Sequence, residues 1–136
     1  HLVLATMHTN TAAGAITRMV DAFPPDKQEV IRMNMSMSLL AVVAQQLVPT
    51  NDGGRILACE VMVATQAIRA LIRENNVHQL DNYIKSGGKD GMVLMDDSLL
   101  ALFQKGIISD DNLIRHAINV TQMEQNMGSV RKQPNI

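Results

Sequence analysis

Two polar residues at the end of an apolar run, His8 and Thr9, are the first candidates for chemistry in this sequence. The apolar residues 2–5 ahead of them are typical of a buried parallel strand. Ligands of open α/β sheets lie just beyond the carboxyl ends of the strands, so a bound group would meet these two side chains. Two structural alternatives stay open: His8 could be a hydrogen-bonded histidine at a strand end, and Thr6 and Thr9 could cap the next helix.

Arginine residues form the second set of candidates. Arg18 lies three residues before Asp21 on a predicted helix, so it could pair with that carboxylate or contact a neighbouring subunit. Arg69 and Arg73 are four residues apart, which places two like charges on one helical face. That face could be solvated, or it could meet acidic groups of another domain or subunit, since guanidinium groups pair well with carboxylates.

The spacing of the possible metal ligands predicts no metal site. The three histidines other than His8 have no ligand-like spacing to one another or to Cys59, the single cysteine. Asp96 and Asp97 form a carboxylate pair, but their place at the start of a predicted helix favours a capping role over catalysis.

The composition limits the kinds of partner that the chain can have. Its 136 residues carry a net charge of −1, which gives no bulk attraction to nucleic acid or to anionic lipid. With one Tyr, two Phe and no Trp, the chain offers no platform on which bases could stack. No apolar run reaches the ~18 residues of a membrane-spanning helix, and no signal peptide is visible. The sequence therefore predicts a cytoplasmic domain that binds no nucleic acid.

The elements that hold these residues can be predicted from caps and apolar spacing. A helix is expected over residues 12–22, and the prolines at positions 24 and 25 stop it. Asp26 is expected to cap a long helix that runs to about Leu47, because apolar residues recur along it at steps of three and four.

A hairpin could account for the end of that segment. The turn-forming residues 49–54 lead into an apolar, β-branched run over residues 55–64, which predicts a strand. Residues 46–48 could be the other arm of the hairpin.

The second half of the sequence predicts a series of short helices. Thr65 and Ser109 are placed to cap two of them, and glycines follow the others. The predicted helices cover residues 66–75, 77–85 and 96–105, and a final helix begins after Ser109. From about residue 123 the sequence is polar and aperiodic, so the tail is predicted to be disordered.

Several segments together resemble the secretion and type IV pilus ATPases, in particular the pilus-retraction branch. Residues 2–9 are similar to the histidine box of that family, and residues 45–62 and 91–109 resemble two further family segments. The histidine box is followed by the matching residues Arg18, Asp21, Phe23 and Pro24. The most specific match is to the retraction signature Ala-Ile-Arg-Asn-Leu-Ile-Arg-Glu, with Ala70 in place of Asn. The matching residues of the signature are Ala67, Ile68, Arg69, Leu71, Ile72, Arg73 and Glu74.

The resemblance implies a fold class and a domain organisation. The fold is expected to be α/β, the C-terminal part of a RecA-like P-loop ATPase domain, with a few strands followed by a mostly helical subdomain. Residues 1–65 would belong to the ATPase core, residues 66–120 would form the helical subdomain, and residues 121–136 would be the disordered tail.

The resemblance also implies a function. The intact protein would be a hexameric motor that hydrolyses ATP with Mg²⁺ and drives pilus retraction and twitching motility. His8 would be catalytic and sense the γ-phosphate, Thr6, Thr9 and Arg18 would sense phosphate or lie at a subunit interface, and the signature would couple hydrolysis to movement. The partners would be neighbouring subunits of a homohexamer and an inner-membrane pilus platform protein, at the inner face of the cytoplasmic membrane.

The sequence contains no phosphate-binding P-loop. The pattern Gly-x-x-x-x-Gly-Lys-Ser/Thr fails at Gly88-Lys89, because Tyr83 takes the first glycine position and Asp90 follows the lysine. Residues 1–136 by themselves are therefore predicted to be inactive, as the C-terminal fragment of a longer ATPase.

Two other functions stay open. A pilus-assembly or type II secretion ATPase would share the histidine box. Those relatives are expected to carry a four-cysteine zinc insertion, whereas this sequence has one cysteine. The alternative of another class is a non-catalytic helical interaction module, in which the chain itself is the functional unit.

Overall fold

The computed structural model describes the backbone of residues 1–131 and the side chains of residues 1–128. Its two strands and many helices confirm the α/β class that the sequence predicts. The elements in chain order are α1 Ala12–Asp21, α2 Pro25–Ser38, β1 Ala41–Pro49, β2 Arg55–Val63, α3 Gln66–Arg73, α4 Leu80–Ser86, α5 Met95–Gln104, α6 Asp110–His116 and α7 Val120–Arg131. Short 3₁₀ turns, Val77–Gln79 and Gly88–Asp90, lie on either side of α4.

The strand predicted over residues 2–5 does not form. Leu2, Val3 and Leu4 are 72%, 80% and 89% exposed, and the segment ahead of α1 has no regular secondary structure. A buried strand needs neighbours for its backbone N–H and C=O groups. Among residues 1–131 the sheet consists of β1 and β2, and β2 has a further bridge from Val61 to Val93, so no strand lies beside this segment.

Helix α1 confirms the first predicted helix. Of the possible cap residues that precede it, Thr11 takes the position, and its hydroxyl accepts a hydrogen bond from the N–H of Gly14 at 3.1 Å. The helix ends at Asp21, ahead of the two prolines. Ile16 and Val20 lie on its buried face.

The prediction of one long helix that reaches Leu47 is wrong. Helix α2 begins at Pro25, whose fixed φ suits a first helical position, and it ends at Ser38. Strand β1 follows, with Ala44 and Val48 buried and Leu47 61% exposed. The sequence did not distinguish the two structures, because residues four apart share a face in both a helix and a strand.

Strands β1 and β2 form an antiparallel hairpin, and the predicted strand over residues 55–64 is confirmed. At one end the N–H of Thr50 donates to the carbonyl of Gly54 at 3.0 Å, and at the other the N–H of Ala64 donates to that of Leu40 at 2.8 Å. In the turn, Asp52 accepts hydrogen bonds from the Thr50 hydroxyl and the Gly54 N–H, and these lower the pKa of its carboxyl group.

The chain forms two compact units, each built from two stretches of sequence. The first unit comprises residues 1–44 and 60–93, and the second comprises residues 45–59 and the described residues from 94 onward. The predicted division at residues 65 and 120 follows from the family resemblance and stays a prediction.

In the first unit, helix α3 confirms the predicted helix after Thr65. The Thr65 hydroxyl accepts from the N–H of Ile68 at 3.4 Å. Three apolar residues of the helix, Ile68, Leu71 and Ile72, are buried. Helix α4 and the 3₁₀ turn before it together cover the next predicted helix, with Leu80 buried.

In the second unit, helices α5 and α6 confirm the predictions for residues 96–105 and for the helix after Ser109. The Ser109 hydroxyl accepts from the N–H of Asn112 at 3.2 Å. Asp96 lies in the first turn of α5 as predicted, but it does not cap that helix, whose N-cap position is Leu94 without a side-chain hydrogen bond. Its carboxylate accepts from the N–H groups of Ile118 and Asn119 at 2.7 and 2.9 Å, just before α7.

The tail predicted to be disordered contains helix α7. The helix packs against α5 and α6, and Met123 and Met127 are 1% and 8% exposed. Two buried residues four apart form one apolar face, and the polar residues between them hid this face in the sequence.

Residues 132–136 lie outside the described part of the chain. Within that part, no helix combines the length and apolar character needed to cross a membrane.

The packing of α7 can be tested with two adjacent substitutions. We expect Met123→Ala to lower the free energy of unfolding by about 2–5 kcal/mol, because it leaves a cavity in the second unit. The exposed neighbour provides a control, and Glu124→Ala should change stability by less than about 0.5 kcal/mol. Urea denaturation followed by circular dichroism measures both, and equal small effects would show that α7 does not pack.

Candidate functional site

The histidine-box residues lie in the exposed segment that leads into α1. The side chains of Thr6 and His8 are exposed, and Thr9 is half-buried. Their hydroxyl and imidazole groups can donate hydrogen bonds to an anionic ligand. The segment is therefore open to a group brought from outside this chain.

Arg18 is brought together with His8. Its Nη1 donates to the backbone carbonyl of His8 at 3.3 Å, which connects α1 to the segment that precedes it. Among the described residues Lys27 pairs with Asp26 and Arg115 with Asp111, whereas Arg18 forms no ion pair with Asp21. The role of Arg18 towards phosphate or a neighbouring subunit stays a prediction.

Glu60 also belongs to this region, although the sequence analysis included it only within residues 45–62, a segment that resembles the family. Its side chain is 2% exposed, and its Oε1 accepts a hydrogen bond from the N–H of Ala12, the first residue of α1, at 2.6 Å. One signal in the sequence could have identified Glu60. It is a carboxylate in a mostly apolar strand, two residues from Ala58 and from Met62. All three share the buried face of β2.

The donor set fits contact with phosphate better than coordination of a cation. Thr6, His8 and Thr9 offer hydrogen-bond donors, whereas Mg²⁺ requires oxygen ligands, mainly carboxylates and water. Within residues 1–131 there is no group of three or more His, Cys, Asp or Glu side chains that could hold a metal ion.

The signature residues occupy α3 and its end. Ile68, Leu71 and Ile72 are buried, Arg69 and Ala70 are half-buried, and Ala67, Arg73 and Glu74 are exposed. The apolar members therefore hold the helix in the first unit, and the polar members differ in their surroundings.

Arg69 binds the end of α2. Its Nη1 donates to the carbonyl oxygens of Ser36 and Met37 at 2.7 and 3.0 Å. The last carbonyls of a helix lack intrahelical partners and carry partial negative charge, so a guanidinium group is well suited to this place. The two signature arginines thus differ: Arg69 has a partner within the chain, and the exposed Arg73 is placed to meet solvent or another surface.

This difference predicts unequal effects on stability. We expect Arg69→Ala to lower the free energy of unfolding by about 1–3 kcal/mol, because two charge-assisted hydrogen bonds are lost and the α2 carbonyls are left without this donor. Arg73→Ala, on the same helix, should change it by less than about 0.5 kcal/mol. Urea denaturation of both variants decides the matter, and a larger loss at Arg73 would contradict the assignment.

Comparisons with known proteins agree with these features. The family model described as "Type II/IV secretion system protein" matches residues 1–53. A twitching motility protein of Neisseria gonorrhoeae is 41% identical over 124 residues, which are 90% of this chain and 33% of that protein. The type IV pilus retractation ATPase PilT of Pseudomonas aeruginosa is 45% identical over 112 residues, 82% of this chain and 33% of that protein.

A solved structure shows the same fold. The crystal structure of the pilus retraction motor PilT with bound ADP matches with a TM-score of 0.82 and 35% identity, over 92% of this chain and 35% of that chain. The predicted fold class, the C-terminal part of such an ATPase, is thereby confirmed. The chain spans about a third of the length of the curated relatives that it matches. The chain is therefore similar to the type II/IV secretion family over residues 1–53, and along most of its length to the C-terminal part of pilus-retraction ATPases.

Proposed function

We propose that the longer protein of which this chain is the C-terminal part is an ATP-hydrolysing motor for type IV pilus retraction. The observation that carries the proposal is the similarity to retraction relatives along most of the chain, including the signature on α3. The secretion-family model alone, which matches residues 1–53, would not separate retraction from assembly or secretion.

The nucleotide in this proposal is ATP with Mg²⁺. The solved relative was crystallised with ADP, which supports adenine nucleotide binding in the longer protein. Because this chain has no P-loop pattern, the cradle for the phosphates and the ligands of Mg²⁺ would come from residues outside it. The exposed side chains of Thr6, His8 and Thr9 would contact the γ-phosphate and respond to its loss.

The signature helix would transmit this response. Arg69 ties α3 to the end of α2, so a force on α3 would be carried into α2 through a short, charged contact. Arg73 and Glu74, both exposed on or next to the last turn of α3, would meet a neighbouring subunit of a homohexamer or the pilus platform protein. Such a motor would work at the cytoplasmic face of the inner membrane.

A pilus-assembly or type II secretion ATPase is the second candidate within the same family. It is supported by the shared family model over residues 1–53. The single cysteine and the near-complete signature favour retraction instead. Loss of pilus retraction, with pili still assembled, in a deletion strain would separate the two.

ATP hydrolysis by the longer protein tests the motor and the role of His8. We expect His8→Ala to lower kcat by about 10²-fold, as for the loss of one preorganised donor at a reacting group. His78→Ala is the matched control, because His78 is exposed in the 3₁₀ turn before α4 and has no part in the proposed site.

Three results would contradict parts of the proposal. Equal activity of the His8 and His78 variants would return His8 to the role of a structural residue. ATP hydrolysis by residues 1–136 alone would overturn the assignment, because that sequence has no P-loop pattern. A longer protein without any ATPase activity would favour a non-catalytic interaction module.

A further inference from the structure

Glu60 is an acidic residue in the core of the first unit. Its side chain is 2% exposed, on the face of β2 that also carries the fully buried Ala58 and Met62. Carboxylates are rarely buried to this extent unless they have hydrogen-bond partners, because the loss of water is costly for a charged group. The burial of the Glu60 carboxylate therefore requires a polar interaction and is not explained by packing alone.

The hydrogen bond to Ala12 gives that reason. The N–H of the first residue of a helix has no intrahelical partner, and the N-terminus carries partial positive charge. The Thr11 hydroxyl does not bind this N–H, because it accepts from the N–H of Gly14. The Glu60 Oε1, at 2.6 Å from the Ala12 nitrogen, accepts from the start of the helix itself.

The start of α1 is also the end of the histidine-box segment. Only three residues separate His8 from Ala12, and Arg18 holds the His8 carbonyl at 3.3 Å. One bond from β2 and one from α1 thus fasten the two ends of this short stretch. A shift of Ala12 would therefore also move His8, because a backbone segment this short, held at both ends, has few alternative conformations.

We infer that Glu60 is a positioning residue, which sets the start of α1 and through it the place of His8. The inference rests on the proposed function. Strand β2 leads through Thr65 directly into the signature helix α3, so the Glu60–Ala12 bond also links the signature to the histidine box through covalent chain and one hydrogen bond. The contact thereby connects the two motifs within the first unit.

A double-mutant cycle in the longer protein tests this role. We expect Glu60→Ala to lower kcat for ATP hydrolysis about tenfold or more, as a small misplacement of a reacting group does, while KM for ATP changes less than about twofold. In a His8→Ala background the same substitution should lower kcat by less than about twofold, because a residue that acts through His8 has nothing left to position. Glu29→Ala, at an exposed site on α2, is the control in both backgrounds.

Glu60→Gln distinguishes positioning from general damage. Its amide oxygen can still accept from Ala12, so we expect most of kcat to return and amide hydrogen exchange over residues 9–14 to stay close to that of the unsubstituted protein. If Glu60→Ala does not fold, the comparison moves to Glu60→Gln and Glu60→Asp. The shorter Asp cannot reach the same N–H, and it should be the slower enzyme with the faster exchange.

Distinct results would overturn this inference and the proposed function. The inference fails if Glu60→Ala lowers kcat by the same factor with and without His8, if it raises KM alone, or if the Gln and Asp variants are equally impaired. It also fails if the Glu60 variants match the Glu29 control in a protein that hydrolyses ATP. If the unsubstituted longer protein does not hydrolyse ATP, the proposed function itself fails, and hydrogen exchange over residues 9–14 still reports whether Glu60 holds the start of α1.

Discussion

The pairing of β1 with β2 is the constraint on which most of the structure depends. An isolated strand would leave its backbone groups without partners, so each strand requires the other. The end of the hairpin near Leu40 and Ala64 contributes buried residues to the first unit, and the end near the turn contributes them to the second. Each core therefore depends on its own part of the hydrogen-bond ladder, and on the alternation that buries Ala44 and Met62 in the first unit and Val48 and Ala58 in the second.

The residues with candidate functions are held by bonds between elements distant in sequence. Glu60 joins β2 to the start of α1, and Arg69 joins α3 to the end of α2. In both cases a charged side chain satisfies a helix end of the opposite partial charge. Helix ends are thus the points at which this chain uses charge for positioning, although its net charge is only −1.

Local features could be predicted from the sequence, and features that depend on distant partners could not. The caps Thr65 and Ser109 act within three residues, so their residue types were enough to locate two helix starts. The exchange of helix for strand at residues 41–49 was missed because the spacing of the buried residues fits both periods. The segment 2–5 was misjudged because its apolar composition is independent of whether a neighbouring strand is present.

The candidate site could also be predicted only where its features are local in sequence. The identity of His8 and of the signature follows from motifs, but the different surroundings of Arg69 and Arg73 depend on where α2 ends. The buried face of Glu60 follows from the two-residue period of β2, yet its partner lies 48 residues away. No pattern in the sequence joins those two positions.

The hydrogen bonds of Asp96 to the residues before α7 have a consequence for how this helix is held in the second unit. Helix α7 contains Gly128 and several residues of modest helix propensity, and its entry is held by a carboxylate more than twenty residues upstream. Asn119 caps the helix locally, because its Oδ1 accepts from the N–H of Gln122 at 3.1 Å, and the two bonds of Asp96 add a contact that requires α5 to be in place. A loosening of α5 would break both bonds, so the entry into the C-terminal helix depends on the integrity of its own unit.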